Sequence, residues 1–231
     1  MKIAVLLLAA GSGKRFGGDI PKQYVPVCGQ PILCHTLKSL AQEPRIAVVQ
    51  PVIAQADDMY TDVVQHCAFP FTFELLAPVV GGSERAISMQ RGLAALPDDV
   101  DMIAVHDAAR PLASKSVLSQ VFDAAIAHGA AVPGIAVHDT IKAINADGKV
   151  LETPDRTLLR AVQTPQVARR DWFEAALQKE AARLHLHTDD ASVLEAAGFE
   201  VYVSQGDVNN RKITTQDDLQ WMASMLEEGV A

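Results

Sequence analysis

Six consecutive apolar residues, Ile3–Leu8, run straight into AlaAlaGlySerGlyLysArgPheGlyGlyAspIleProLysGlnTyr at positions 9–24. An uninterrupted apolar run of strand length implies a strand buried on both faces, as in a parallel sheet covered by helices. The loop after it has almost no side-chain bulk, several bare amide N–H groups and three cations, Lys14, Arg15 and Lys22. Unobstructed N–H groups can wrap an anion, and fixed cations can neutralise charge that develops in phosphoryl transfer. The pattern predicts a polyphosphate site. It does not fit the ATP/GTP-type loop, because Gly13-Lys14 is followed by Arg15 without the required spacing. Nor does it fit the dinucleotide fingerprint: Gly11 and Gly13 match, but Phe16 stands where the third glycine belongs.

Further along, apolar runs alternate with amphipathic stretches. Strands are expected at Ile3–Leu8, Ile46–Ile53, Phe73–Leu76, Met102–Val105, Ala130–Val137 and Phe199–Val203. Helical spacing links Leu33, Leu37 and Leu40, then Val117, Val121 and Ala125; later helices are expected at Arg170–Ala182, Asp189–Ala197 and Gln216–Glu227, with Gly198 as a stop. This alternation predicts an α/β fold with a doubly wound, mostly parallel sheet. With 231 residues, one domain spanning 1–231 is expected. Ligands in such sheets sit outside the carboxyl ends of the strands, where the first loop and the His106-Asp107 corner both fall. Residues 138–168 break the alternation. Two β-like runs about AsnAlaAspGlyLys read as a hairpin or arm projecting from the sheet.

The net charge of −8 argues against general nucleic-acid or membrane-surface binding. An anionic substrate must therefore be drawn in by a local basic cluster. Cys28, Cys34 and Cys67 are odd in number and lack Cys-x-x-Cys spacing. They argue against a disulfide framework and for a reducing cytoplasm. No signal peptide or membrane-spanning run is apparent. His185-x-His187 could ligate a metal, but no third ligand has suitable spacing.

Three more segments carry chemistry. ValHisAspAlaAlaArgPro, 105–111, places Asp107 at a strand's carboxyl end, suited to a ribose hydroxyl, to Mg²⁺ or to capping the next segment; His106 reads as structural. GlyGlySerGluArgAlaIleSer, 81–88, permits close approach to a flat base that Ser88 can hydrogen-bond, or is a simple strand-to-helix turn capped by Ser83. Lys212, in ArgLysIleThr, reads by spacing alone as a solvated basic residue.

Together, AlaAlaGly-x-Gly-x-Arg-Phe…ProLysGln and these later segments resemble the 2-C-methyl-D-erythritol 4-phosphate cytidylyltransferases, within the nucleotide-sugar pyrophosphorylase-like superfamily. The likeness runs from Leu7 to Leu219. It implies a Rossmann-like nucleotidyltransferase fold and transfer of CMP from CTP to 2-C-methyl-D-erythritol 4-phosphate, releasing pyrophosphate, in non-mevalonate isoprenoid biosynthesis, with Mg²⁺ held mainly by the CTP phosphates. Arg15, Lys22 and Lys212 match the family's catalytic cations. Ala9, Ala10, Gly11, Gly13, Gly82, Ser88 and Asp107 match positions that bind CTP. Asp107, Arg110, Thr140, Arg156, Thr164 and Thr188 match those that hold methylerythritol phosphate. The resemblance also implies a homodimer in which the 138–168 arm crosses between subunits. Two other readings stay open: a cytidylyltransferase for another polyol phosphate, such as ribitol 5-phosphate, and a catalytically silent nucleotide-binding regulatory subunit.

Overall fold

The structure is a computed structural model that describes residues 1–11, 16 and 20–229. In chain order it contains β1 (Ile3–Leu8), β2 (Pro26–Val27), β3 (Gln30–Pro31), α1 (Ile32–Leu40), β4 (Ile46–Ile53), α2 (Tyr60–Gln65), β5 (Glu74–Leu75) and β6 (Val79–Val80). Then come α3 (Arg85–Ala94), β7 (Met102–Asp107), α4 (Lys115–His128), β8 (Ala130–Ala136), β9 (Ala143–Ile144), β10 (Val150–Glu152), β11 (Arg160–Val162) and β12 (Gln166–Arg169). The chain closes with α5 (Arg170–Lys179), α6 (Asp190–Ala197), β13 (Tyr202–Gln205) and α7 (Gln216–Glu227).

Among the described residues the main sheet has nine strands, ordered β11-β8-β12-β7-β1-β4-β5, with β13 beside β8 and β6 beside β4. Its core is parallel: β1 pairs in parallel with β4 and β7. Alternate residues of β1 feed opposite faces, as the period of two requires. Ile3, Val5 and Leu7 pack with Leu33 and Leu37 of α1 and with Leu118 and Phe122 of α4. Ala4 and Leu6 pack with Met89 of α3, Phe173 of α5 and Val193 of α6. This is the doubly wound arrangement expected from an apolar run without alternation. A third cluster joins Phe16, Ile32, Ile213 and Met222 of α7, so Phe16 is a core residue of this loop.

Helix ends follow from local chemistry. Ser114 caps α4 by accepting from the Val117 N–H, and Asp189 and Thr215 form capping boxes with Ser192 and Asp218. Gly198, at φ 94°, ends α6 in the left-handed region that glycine enters without steric cost.

Three expectations are revised. The last strand is Tyr202–Gln205, later than the expected 199–203. The 138–168 segment divides. Its outer part forms the β9–β10 hairpin, a separate small sheet whose turn is closed by Asn145 Oδ1 accepting from the N–H groups of Asp147 and Lys149. Its last part returns to the main sheet, where β11 pairs antiparallel with β8 and β12 lies antiparallel between β7 and β8. Gln166, Val167 and Ala168 are buried there, which a run of four residues is too short to announce. Finally, Cys34 and Cys67 form a disulfide, with Cα atoms 5.4 Å apart, tying α1 to the end of α2; Cys28 is free and exposed. The expectation of unpaired cysteines failed because residues 33 apart in sequence meet only through packing. No helix among the described residues is long and apolar enough to cross a membrane.

Candidate active site

Strand register sets the site. Leu8 stands opposite Val52 of β4 on one side and Asp107 of β7 on the other. The strands therefore end together, and their loops leave from one edge. Backbone bonds hold those exits: Ala9 N to Val52 O (2.8 Å), Ala108 N to Leu8 O (3.1 Å) and Gly81 N to Ile53 O (2.8 Å). A cleft of about 210 Å³ opens among these loops. Its floor is Leu8–Gly11 and Asp107–Ala109; its walls are Gly82–Arg85 with Ser88, Lys22-Gln23 and Lys212.

The Ala9–Gly11 and Gly81-Gly82 loops face each other closely. A Cβ on Gly81 would lie 2.8 Å from the Ala10 Cβ and 2.8 Å from the Ser88 Oγ. A Cβ on Gly82 would lie 2.2 Å from the Ile87 side chain. At Gly11, by contrast, a Cβ would meet no atom of the described residues within 4 Å. The Ser88 hydroxyl serves its own loop, accepting from the Gly82 N–H (3.0 Å) and donating to the Glu84 carbonyl (3.1 Å). Ser83 is not the cap of α3. Glu84 occupies that position and makes no side-chain cap bond.

Lys22 and Lys212 are 190 residues apart and line the same cleft. Lys22 opens a single 3₁₀ turn, Lys22–Tyr24, whose next two side chains are buried anchors. Gln23 Nε2 donates to the Ala9 carbonyl (2.9 Å), and the Tyr24 hydroxyl donates to Asp57 (2.5 Å). Lys22 Nζ donates to the Ile213 carbonyl (3.1 Å), while Ile213 N–H donates to the Ala109 carbonyl (2.8 Å). Arg211 fixes the same loop from outside, pairing with Asp218 (2.7 Å) over the Trp221 ring. Lys212 thereby points its ammonium at Asp107 Oδ2, 2.8 Å away.

Asp107 is the electrostatic centre. Its buried carboxylate receives Arg85 Nη1 (2.5 Å) and Lys212 Nζ, with Arg110 Nε at 3.6 Å. Burial alone would raise its pKa, but Arg85 and Lys212 hold the carboxyl well below the usual carboxylate range. Arg110 also donates to the Asn210 carbonyl (2.6 Å). Behind this cluster His106 is fully buried, its ring nitrogens against the Arg110 carbonyl (3.2 Å) and the Thr164 hydroxyl (3.0 Å). Burial pushes its pKa down to about 4, so the imidazole is neutral at neutral pH. Thr164 Oγ1 accepts from the Asp107 N–H (3.1 Å) and sets that residue's backbone.

The structure thus brings together Ala9, Ala10, Gly11, Lys22, Gly82, Ser88, Asp107 and Lys212, and places Arg110 and Thr164 directly behind Asp107. It does not bring in three others. Thr140 and Arg156 are exposed on or near the arm, where Arg156 Nη1 bonds the His138 carbonyl (2.6 Å), and Thr188 is exposed just before α6. None of the three lines the cleft. Gly13 and Arg15 lie outside the described residues.

Arg85 is the residue that the sequence reading passed over. It bridges Asp107 and Asp190, although the motif around it drew attention only to its glycines and serines. A signal was present. Arg85 is the first residue of α3, where the helix dipole disfavours a cation unless carboxylates compensate.

No group of three or more His, Cys, Asp or Glu side chains among the described residues could hold a metal ion. The cleft's buried carboxylate, Asp107, already has both oxygens engaged by cations.

Comparison with known proteins shows the family and the fold. The family model described as IspD, 2-C-methyl-D-erythritol 4-phosphate cytidylyltransferase, matches residues 3–228. The chain is 43% identical over 221 residues to the bifunctional enzyme IspD/IspF of Rhodospirillum rubrum, covering 95% of this chain but only 56% of that protein. It is 39% identical over 226 residues to the 2-C-methyl-D-erythritol 4-phosphate cytidylyltransferase of Symbiobacterium thermophilum, covering 98% of this chain and 93% of that one. The crystal structure of 4-diphosphocytidyl-2C-methyl-D-erythritol synthase from Anaerococcus prevotii superposes with a TM-score of 0.84 at 28% identity, covering 98% of both chains.

Proposed function

The chain belongs to the 2-C-methyl-D-erythritol 4-phosphate cytidylyltransferase family, and from that premise we propose that its cleft transfers CMP from CTP to 2-C-methyl-D-erythritol 4-phosphate. The products are 4-(CDP)-2-C-methyl-D-erythritol and pyrophosphate. The supporting observation is that Lys22 and Lys212, from opposite ends of the chain, converge on a cleft whose floor is backbone and small residues. A phosphate oxygen of the second substrate attacks the α-phosphorus of CTP in line, the bond to the bridging oxygen breaks, and pyrophosphate leaves with that electron pair. Little covalent work falls to the protein, so positioning and charge stabilisation carry catalysis. Lys22 faces the charge that builds on the transferring phosphate; Arg15 follows it by family likeness. Lys212 is paired with Asp107 and joins the phosphates when they arrive. Asp107, kept ionised by its cations, accepts from the ribose hydroxyls. The slot between Ala9–Gly11 and Gly81-Gly82 admits a pyrimidine, and its backbone groups read the edge.

A divalent cation, Mg²⁺ in this proposal, would sit mainly on the triphosphate oxygens of bound CTP. Bound there, it neutralises phosphate charge.

Asp107, Arg110, Thr140, Arg156, Thr164 and Thr188 are assigned to the second substrate; the first, second and fifth stand at or behind the cleft, and the other three lie off it. The arm carrying Arg156 exposes Ile144, Leu151 and Leu158, at 58%, 65% and 82% exposure. Large exposed apolar side chains on a hairpin suit an interface. We assign the arm to a two-fold homodimer in which it reaches the partner's cleft. A cytoplasmic location belongs to the same proposal, on the ground of two water-soluble phosphorylated substrates.

Pyrophosphate release across four nucleoside triphosphates and several polyol phosphates tests the reading. CTP with methylerythritol phosphate should be strongly preferred over ATP and GTP, with a smaller margin over UTP. Comparable kcat/KM with ATP contradicts the slot. Preference for ribitol 5-phosphate redirects the substrate assignment.

A further inference from the structure

We infer that Arg85 is a positioning residue whose guanidinium braces Asp107, the ribose-binding carboxylate, against the N-terminus of α6, which follows Thr188. The inference rests on the cytidylyl-transfer reading of the cleft.

The brace is visible atom by atom. Arg85 Nε lies 3.1 Å from Asp190 Oδ1, Nη2 lies 2.6 Å from Asp190 Oδ2, and Nη1 lies 2.5 Å from Asp107 Oδ1. All three guanidinium nitrogens are engaged, two on one carboxylate and one on the other. A planar fork can do this, whereas a lysine ammonium is a point donor and cannot reproduce the bidentate half. Asp190 is almost fully buried, and burial pushes its carboxyl upward while the Arg85 fork opposes that. It is the first residue of α6. That helix end is also pinned from below: Gln166 Nε2 donates to Asp189 (2.9 Å), and Gln166 Oε1 accepts from the Ala191 N–H (2.8 Å). Gln166 stands on β12 opposite Val105 of β7, two residues before Asp107.

The contacts therefore close a ring: β7, Asp107, Arg85, Asp190, α6, Gln166, β12 and back to β7. The ring lies at the edge of the cleft, above the apolar core, and it joins the nucleotide half of the site to the segment bearing Thr188. Burial disfavours the Arg85 charge, but Asp190 and Asp107 overcome that and keep the guanidinium firmly protonated. The charged and titratable groups facing Asp107 are Arg85 from α3, Lys212 from the loop before α7, Arg110 from its own loop, the neutral His106 beside it and Asp190 beyond Arg85.

Arg85→Lys, Arg85→Gln, Asp190→Asn and the Arg85→Lys/Asp190→Asn double variant test the brace, with kcat/KM for CTP measured against pH and Tm recorded for each. Each single change should lower kcat/KM by roughly tenfold to a hundredfold, the scale of a small misplacement at the reacting centre. The double variant should lose little beyond Asp190→Asn, because either change opens the same ring. The acid limb should move to higher pH in Arg85→Gln, which removes a cation that keeps Asp107 ionised, and should stay near wild type in Arg85→Lys. A merely structural residue would not shift that limb. Unchanged limbs in both Arg85 variants, or fully additive losses in the double variant, would overturn the brace. If Arg85→Gln fails to fold, the Arg85→Lys/Asp190→Asn cycle decides alone. A wild-type protein inactive in the same assay would instead count against the cytidylyl-transfer reading.

Discussion

The nucleotide cleft and three of the residues assigned to the second substrate, Thr140, Arg156 and Thr188, are built in different ways. The cleft is assembled within one chain from strands whose ends are level, and two of its cations, Lys22 and Lys212, are already oriented. Lys22 is held by the anchors Gln23 and Tyr24, and Lys212 is aimed at Asp107 by the Arg211 pair. Thr140, Arg156 and Thr188 are exposed and lie off that cleft. A preorganised site loses little on binding, whereas scattered polar groups must be gathered by something else. On the proposed reading, the described part of the triphosphate site is held in place within one chain, while three residues of the acceptor site depend on the arm of a partner.

The sharpest way to break this comparison is at Lys22. Lys22→Ala should lower turnover by roughly 10²–10³-fold while CTP binding weakens much less, because the charge matters most in the transition state. Steady-state kinetics beside a CTP titration check it. Near-normal turnover would remove Lys22 from the chemistry and leave the cleft a binding site only.

A mixing experiment addresses the other region. If the protein is the proposed two-fold dimer, Lys22→Ala and Arg156→Ala variants should each be nearly inactive. Unfolded and refolded together in equal amounts, they should form heterodimers about half the time, each with one intact site, and recover about a quarter of wild-type activity. If Arg156 acts within its own subunit, every site keeps a defect and mixing restores nothing.

The smallest expected effect serves as a control remote from both regions. Glu43 is buried after α1, where it accepts from Arg45 (2.8 Å) and from Ser119 of α4 (2.7 Å). The Arg45 bonds, joined by Ser119, outweigh burial and hold its pKa at about 2, below the ordinary 4.5. The folded-state pKa is depressed. The stabilisation is therefore present above the ordinary value and is lost as pH falls from about 4.5 towards about 2. Glu43→Gln should cost roughly 1–3 kcal/mol at pH 7, and the gap to wild type should narrow at pH 3. Denaturant unfolding at the two pH values measures this. A gap that does not narrow would show that the ion pair is not its source. Kinetics should stay near wild type, which would set the other two losses apart from general destabilisation.

Much of this was legible before any coordinates. β1, β4 and α7 fall at the expected residues, and the expected C-terminal stop at Gly198 is present. Long apolar runs, helical spacing and terminal residues act locally, so sequence carries them well. Small elements were less legible: α2 and β12 went unforeseen, because six or four residues give periodicity too little length to act on. At the site, Ala9–Gly11, Gly82 and Asp107 were picked out by backbone freedom and position, and they line one cleft. Arg85 did not, since its partners Asp107 and Asp190 lie 22 and 105 residues away.

By itself the sequence determined the parallel core, the exit of Ala9–Gly11 at its carboxyl edge and the family. These follow from patterns repeated along a strand or a helix, where each residue's neighbours are its neighbours in the chain. Only the tertiary structure decided that Cys34 joins Cys67, that Lys212 meets Asp107, and that Arg85 spans two acids. Each of these is a contact between segments distant in sequence. Whether a cysteine is paired or a lysine solvated depends on which segment packing brings against it, and local pattern does not encode that.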